Sequence, residues 1–319
     1  MISDIIIPIM LGRKFKFLLI FCALPIVANA EVLPLNDALR ATYSACVGID
    51  DELADLKKMA GINTAVTGVG TAVNTGATVV GIIKANKDAE LERLLKELSE
   101  LEAGQESPTE EQVAQWGREF NQSYEKAKQS KPLTEQINKL NEQSKKLGNW
   151  RTGLMAGGTV TNVAGAIIAG NNQVKGDLQS QIDNCKASVK NLRDSIMQAR
   201  MNGEDVTEAN NIVNACDEYD YVDVSPINNR AKGAMISSIV GATTGLTGTI
   251  TSAVANTDKT RNDNTEFGKQ KEKNLNTASN VLAGASTVAS ATATVFNATQ
   301  ISAIKKVAAV AEKCTGVLK

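Results

Sequence analysis

Four stretches of the chain, residues 59–83, 152–174, 234–257 and 277–304, contain no charged residue. Each mixes Val and Ile with Gly, Ala and Thr, and the apolar positions recur at helical spacing. Ile62, Val66, Val69, Val73, Gly76, Val80 and Ile83 alternate by four and three. So do Ile236, Ile239, Thr243, Leu246, Ile250 and Ala253, and beyond the second stretch Leu178, Ile182, Cys185, Val189, Leu192 and Ile196. This alternation predicts the apolar seams of a coiled coil or antiparallel bundle. The many β-branched residues favour sheet, but unbroken 4-3 spacing without turn signals points to helix. The predicted fold class is all-α, with long antiparallel helices in a small-residue-rich bundle.

Glycine changes that picture. Gly61, Gly68, Gly70, Gly76 and Gly81 fall within one predicted helix, each costing about 1 kcal/mol relative to alanine. Close helix approach is the expected compensation, with small residues at i and i+4, as in Gly153/Gly157 and Gly241/Gly245.

The spacing also suggests a duplication. Asn86, Asn171 and Asn256 recur at intervals of 85, and Cys46 and Cys216 each lie 40 residues before Asn86 and Asn256. Two halves follow, residues 31–203 and 204–319, meeting at an Asn202-Gly203 turn. The first half carries an insertion, about 87–148, with a leucine stripe (Leu91, Leu94, Leu98, Leu101) among charges. It reads as a charged helical hairpin: a loop over 104–108, a capping box at Thr109 and Gln112, and an interruption at Pro132. Ser225-Pro226 is read as the N-cap and first residue of the second half's long helix.

The N-terminus has the form of a secretory signal. Residues 18–27 are apolar, Arg13, Lys14 and Lys16 precede them, and Ala28-Asn29-Ala30 is an A-x-A cleavage signature. Met10 opens a conventional signal by itself. Cleavage after Ala30 leaves 31 basic and 34 acidic residues, a balance that argues against nucleic acid as a partner. It also removes Cys22 and leaves Cys46, Cys185, Cys216 and Cys314, an even set that favours two disulfides in an exported chain. Antiparallel geometry allows Cys46–Cys185 with Cys216–Cys314. It equally allows Cys185–Cys216 across the turn with Cys46–Cys314 clamping the termini.

Catalytic chemistry finds no foothold. Histidine is absent, which removes the commonest general base and metal ligand. Ser-x-x-Lys occurs at Ser123–Lys126 and Ser302–Lys305 without its companion motifs. Gly76 and Gly81 are followed by Ile82 and Ile83, where a P-loop needs Lys and Ser/Thr. Asp217, Glu218, Asp220 and Asp223 lack the alternation of a calcium loop and read as a solvated linker. Trp116 and Trp150 read as packing anchors. No catalytic residue, cofactor or metal is assigned.

Two functions fit. The first is an exported, non-enzymatic structural or interaction protein of a bacterial-type envelope or secreted space, whose partner is a protein or a second copy. The alternative is a membrane-active or pore-forming protein, since uncharged stretches of this length can cross a bilayer. The export reading has a direct check. Mass spectrometry of the exported chain is expected to find a mature N-terminus at Glu31.

Overall fold

The structure, a computed structural model, describes residues 32–103, 116–261, 263 and 265–318, with 102, 103 and 116–129 described by backbone alone. The leader, Cys22, the 104–108 loop and the Thr109/Gln112 capping box lie outside the described residues, as do the side chains of Trp116, Ser123 and Lys126. Among the described residues all regular structure is helical.

Four long helices form a ring: α2 (Ile49–Ala103), α3 (Trp116–Asn171), α6 (Ser225–Ala255) and α8 (Glu266–Leu318). Each packs against two neighbours, α2 on α3 and α8, and α6 on α3 and α8. Neighbours run antiparallel, as pairs such as Thr71–Thr294 and Thr78–Thr287 require. Short helices α1 (Leu35–Cys46), α4 (Asp177–Met201) and α5 (Thr207–Cys216), with a 3-10 turn at Asp217–Tyr221, gather at one end. A four-residue helix, α7 (Asp258–Arg261), joins α6 to α8 at the other.

Local chemistry accounts for the breaks. Gly176 takes φ 59° and Gly203 takes φ 78°, left-handed conformations that glycine adopts without strain. They separate α3 from α4 and α4 from α5. Three acids, Asp50, Asp51 and Glu52, open α2, where they complement the helix dipole. Ser225 is the first residue of α6 rather than its cap; the Asp223 carboxylate accepts its backbone N–H at 2.8 Å. Pro132 does not interrupt α3, which runs through it.

Two larger apolar cores lie at the ends, with a small cluster of Ala77, Met155 and Ala283 between them. The larger fills the end holding the short helices, hereafter the cap: Ile49, Leu53, Ile182, Val189, Leu192, Ile227 and Ile304 are buried there around the cysteines. The seam predicted on α4 is buried as expected. At the opposite end α2 and α3 continue past the other helices as a pair, closing Leu94 on Ile137 and Leu140.

Cys46 is bonded to Cys185 and Cys216 to Cys314, spanning 139 and 98 residues of sequence. The sulfurs of Cys46, Cys185 and Cys314 lie within 4.8 Å of one another, so the two bridges sit side by side in the cap core. Closing loops of this size contributes about 4–5 kcal/mol each in the chain-entropy model. Peptide mapping of unreduced protein is expected to recover these two linkages and no Cys185–Cys216 peptide. Replacing Cys216 and Cys314 together by Ser is expected to cost about 2–5 kcal/mol on thermal unfolding.

Candidate functional site

Between the two apolar cores the ring of helices has an unusual section. The buried positions of α2 run Asn63, Thr67, Gly70, Asn74, Ala77, Gly81, Lys84. Those of α6 run Ala231, Ala234, Ser238, Gly241, Gly245, Gly248, Ser252, Ala255. Both keep a strict 4-3 alternation, but in a different phase from the apolar one. The expected seam on α6 is wholly exposed: Ile236, Ile239, Thr243, Leu246, Ile250 and Ala253 all face outward. On α2, Ile62, Val69 and Ile83 are exposed and the remaining expected positions are half-buried. The apolar stripe lies on the outside and the small polar stripe on the inside.

Side-chain hydrogen bonds fill the interior. Asn63 donates to Asn297 at 2.9 Å, Asn297 to Thr67 at 3.3 Å, and Asn74 to Ser290 at 2.9 Å. Ser290 donates to Asn162 at 2.8 Å, and Ser286 to the Gly241 carbonyl at 2.9 Å. Toward the cap, Gln300 donates to the Asn172 carbonyl at 2.6 Å. All these side chains are buried. The result is a run of polar contacts along the bundle axis, interrupted by a small apolar cluster of Ala77, Met155 and Ala283.

The glycines explain how it closes. A Cβ on Gly158 would stand 1.9 Å from Asn74 Oδ1, one on Gly81 2.2 Å from Asn280 Oδ1, and one on Gly241 2.7 Å from Asn162 Nδ2. Asn256 sits on Gly148 in the same way, and Thr159 on Gly245. Each glycine is thus a socket for a neighbour's amide or hydroxyl, not a point of backbone-to-backbone contact. Gly153 of the expected Gly153/Gly157 pair meets nothing within 4 Å, nor do Gly61 and Gly68.

Outside, the belt is apolar on all four helices: Val69 and Ile82 on α2, Val160 and Ile167 on α3, Ile236 and Ile250 on α6, Val281 and Val288 on α8. Val160 is 68% exposed and Val288 67%. The four uncharged stretches lie level, since Thr71 meets Thr294, and Gly70 and Gly241 meet Thr161 and Asn162. At 1.5 Å per residue they make a belt about 35 Å tall. Three helical segments, Leu35–Leu101 (α1 and α2 taken together), Ser130–Asn171 and Glu266–Leu318, are long and apolar enough to cross a membrane. Their most apolar windows are only 28%, 28% and 33% buried, so that apolarity is spent mainly on the surface.

Just beyond the belt, on the side away from the cap, charges enter the axis. Arg151, 1% exposed, donates through Nε to Ser252 at 3.2 Å and through Nη1 to Asn280 at 2.9 Å. Burial lowers its pKa to about 10. Lys84 is held by Asp88, which also accepts from Ser144; burial still lowers the Lys84 pKa and raises that of nearby Glu272. These groups plug one end of the polar axis.

The sequence candidates fall elsewhere. All four cysteines are structural bridges. Arg193 binds both Asp217 and Asp220, Lys313 binds Glu218, and Asp223 caps α6, so cationic side chains and a backbone N–H already occupy the acidic cluster. Ser302 and Lys305 are exposed on α8. Gly76 and Gly81 lie within a helix rather than a phosphate-binding loop. Trp150 is 69% exposed and anchors nothing. Family models, characterised proteins and solved structures give no match to this chain.

The socket geometry separates two substitutions that look alike in sequence. Gly158→Ala is expected to destabilise by about 1–3 kcal/mol, because Asn74 must leave its seat. Gly68→Ala, whose new carbon meets no neighbour, is expected to be neutral or to stabilise by up to about 1 kcal/mol. Thermal unfolding of both variants checks the difference.

Proposed function

We propose that this chain is an exported, non-enzymatic membrane protein whose helical belt is embedded in lipid. One observation carries the reading: the belt is apolar outside and polar inside. A helix bundle in water buries its apolar stripe because transfer from water supplies the driving force. Lipid removes that force, and close packing with interhelical hydrogen bonds takes over. Small residues and Asn/Ser/Thr on the inner face, with Val and Ile outside, suit that solvent. The belt's height is close to the roughly 30 Å of a bilayer's hydrocarbon layer. This favours the membrane alternative over a purely water-soluble interaction protein. The belt also leaves room for self-association within the membrane. The hydrogen-bonded axis is packed, so the reading is a membrane-embedded scaffold rather than an open channel.

The finer organisation belongs to the same proposal. Export through a signal cleaved after Ala30 is supported by the two disulfides, which suit an oxidising compartment. Duplication is supported by the order of parts: a short helix ending in Cys, a long helix, a connection, then a second Cys-bearing arm, once for α1–α4 and once for α5–α8. The first copy would carry the 87–148 insertion as a charged hairpin beyond the belt.

The test is where the full-length protein goes. It is expected in the membrane fraction, resisting alkaline carbonate and released by detergent. Val288→Asp, near the middle of the outer face, is expected to weaken insertion, since Asp at a helix centre costs about 2.5–3.5 kcal/mol in a bilayer. A full-length protein that stays monomeric in detergent-free buffer would overturn the proposal.

A further inference from the structure

The rim of the belt on the cap side carries an unusual ring of charge. Lys57 and Lys58 precede the uncharged stretch of α2, Lys175 follows that of α3, Lys232 precedes that of α6, and Lys305 and Lys306 follow that of α8. All six are exposed. Lys57, Lys58, Lys175, Lys305 and Lys306 stand near one level, because Thr71 meets Thr294 and Asn172 bonds Gln300; Lys232 lies nearer the belt, between Arg230, which reaches Thr299, and Gly233, which meets Phe296. Lys175 reaches back to the Gly170 carbonyl at 3.1 Å, and none of the six forms an ion pair among the described residues.

The rest of the cap has the opposite sign. Residues 32–56, 176–229 and 307–318 hold 16 acidic and six basic side chains. Within the cap side of the molecule, a net positive excess is therefore found at the line where the cap meets the apolar belt. The far rim has no such segregation. There Lys84 and Arg151 are buried, Asp258 is bonded to Lys145, and Lys273 is exposed.

We propose that the six-lysine rim binds the headgroups of anionic phospholipids, and that it sets which face of the bilayer meets the cap. The inference rests on the membrane reading above and adds the chemistry of the lipid. Lysine stems lie along apolar surface while their ammonium groups reach the headgroup layer. Basic residues beside a membrane segment are attracted to a negative leaflet, by roughly fivefold in partitioning for each lysine. The acidic remainder of the cap is repelled by that leaflet, which holds the cap above the surface and the rim upon it.

The experiment compares partitioning of the full-length chain into vesicles of phosphatidylcholine alone and of phosphatidylcholine with phosphatidylglycerol. The wild type is expected to prefer the anionic vesicles, and added salt to reduce the preference by screening. Replacing Lys57, Lys58, Lys305 and Lys306 by Gln is expected to lower binding to anionic vesicles by several hundredfold, leaving binding to neutral vesicles unchanged. Equal partitioning of the wild type into both vesicles overturns the inference and leaves the membrane reading standing. So does an anionic preference that survives the fourfold replacement. Binding to neither kind of vesicle refutes both.

Discussion

The molecule depends on polar side chains that bridge helices at points where the neighbouring helix has no side chain at all. Asn74 on Gly158, Asn162 on Gly241 and Asn280 on Gly81 are the clearest cases. Each lets two long helices approach around a polar side chain: Asn162 bonds Ser286 and Ser290, Asn280 accepts from Arg151, and Asn74 donates to Ser290 while its Oδ1, seated on Gly158, has no partner among the described residues. Unpaired buried amides are costly, so glycine and partner residue are needed together. Across the belt these contacts replace the interdigitating Leu and Phe of an ordinary core, which fits an aromatic content of only 4%.

The two ends show what the belt gives up. In the cap, Ile182, Leu192 and Ile304 bury apolar area around the disulfides, at about 25 cal/mol for each Å² removed from water. In the leucine pair of α2 and α3 the same holds on a smaller scale. The belt between them keeps its Val and Ile outside. A belt with its apolar stripe outside thus lies between two ends that bury theirs, and the uncharged stretches mark it. The rim lysines sit at one of its boundaries.

Much of this was legible. Periodicity identified the long helices, and α4 buries the stripe its sequence predicts, because the cap is packed by ordinary exclusion of apolar groups from water. In α2 and α6 the period was readable but the phase was not. Ile62, Val69, Ile236 and Ile250 repeat at the same interval as Asn63, Gly70, Ser238 and Ser252, and a repeat alone does not say which stripe faces inward. Water makes the apolar stripe the inner one, and in the belt that choice is inverted. The disulfides were ambiguous for a different reason. Three of the four sulfurs crowd within 4.8 Å, so both pairings asked nearly the same of the helices. Sockets such as Gly158, and the Arg151–Lys84 plug, depend on which residues face each other across the ring, and local spacing carries no such information.

The placement of the sulfur bridges has a mechanical consequence. One ties α1 to α4 and the other α5 to α8, so neither crosses from the helix pair α2/α3 to the pair α6/α8. The faces between those pairs, α2 against α8 and α3 against α6, are held without covalent fastening among the described residues. The molecule is a book with two separately stapled covers, and hydrogen bonds and packing alone hold its spine.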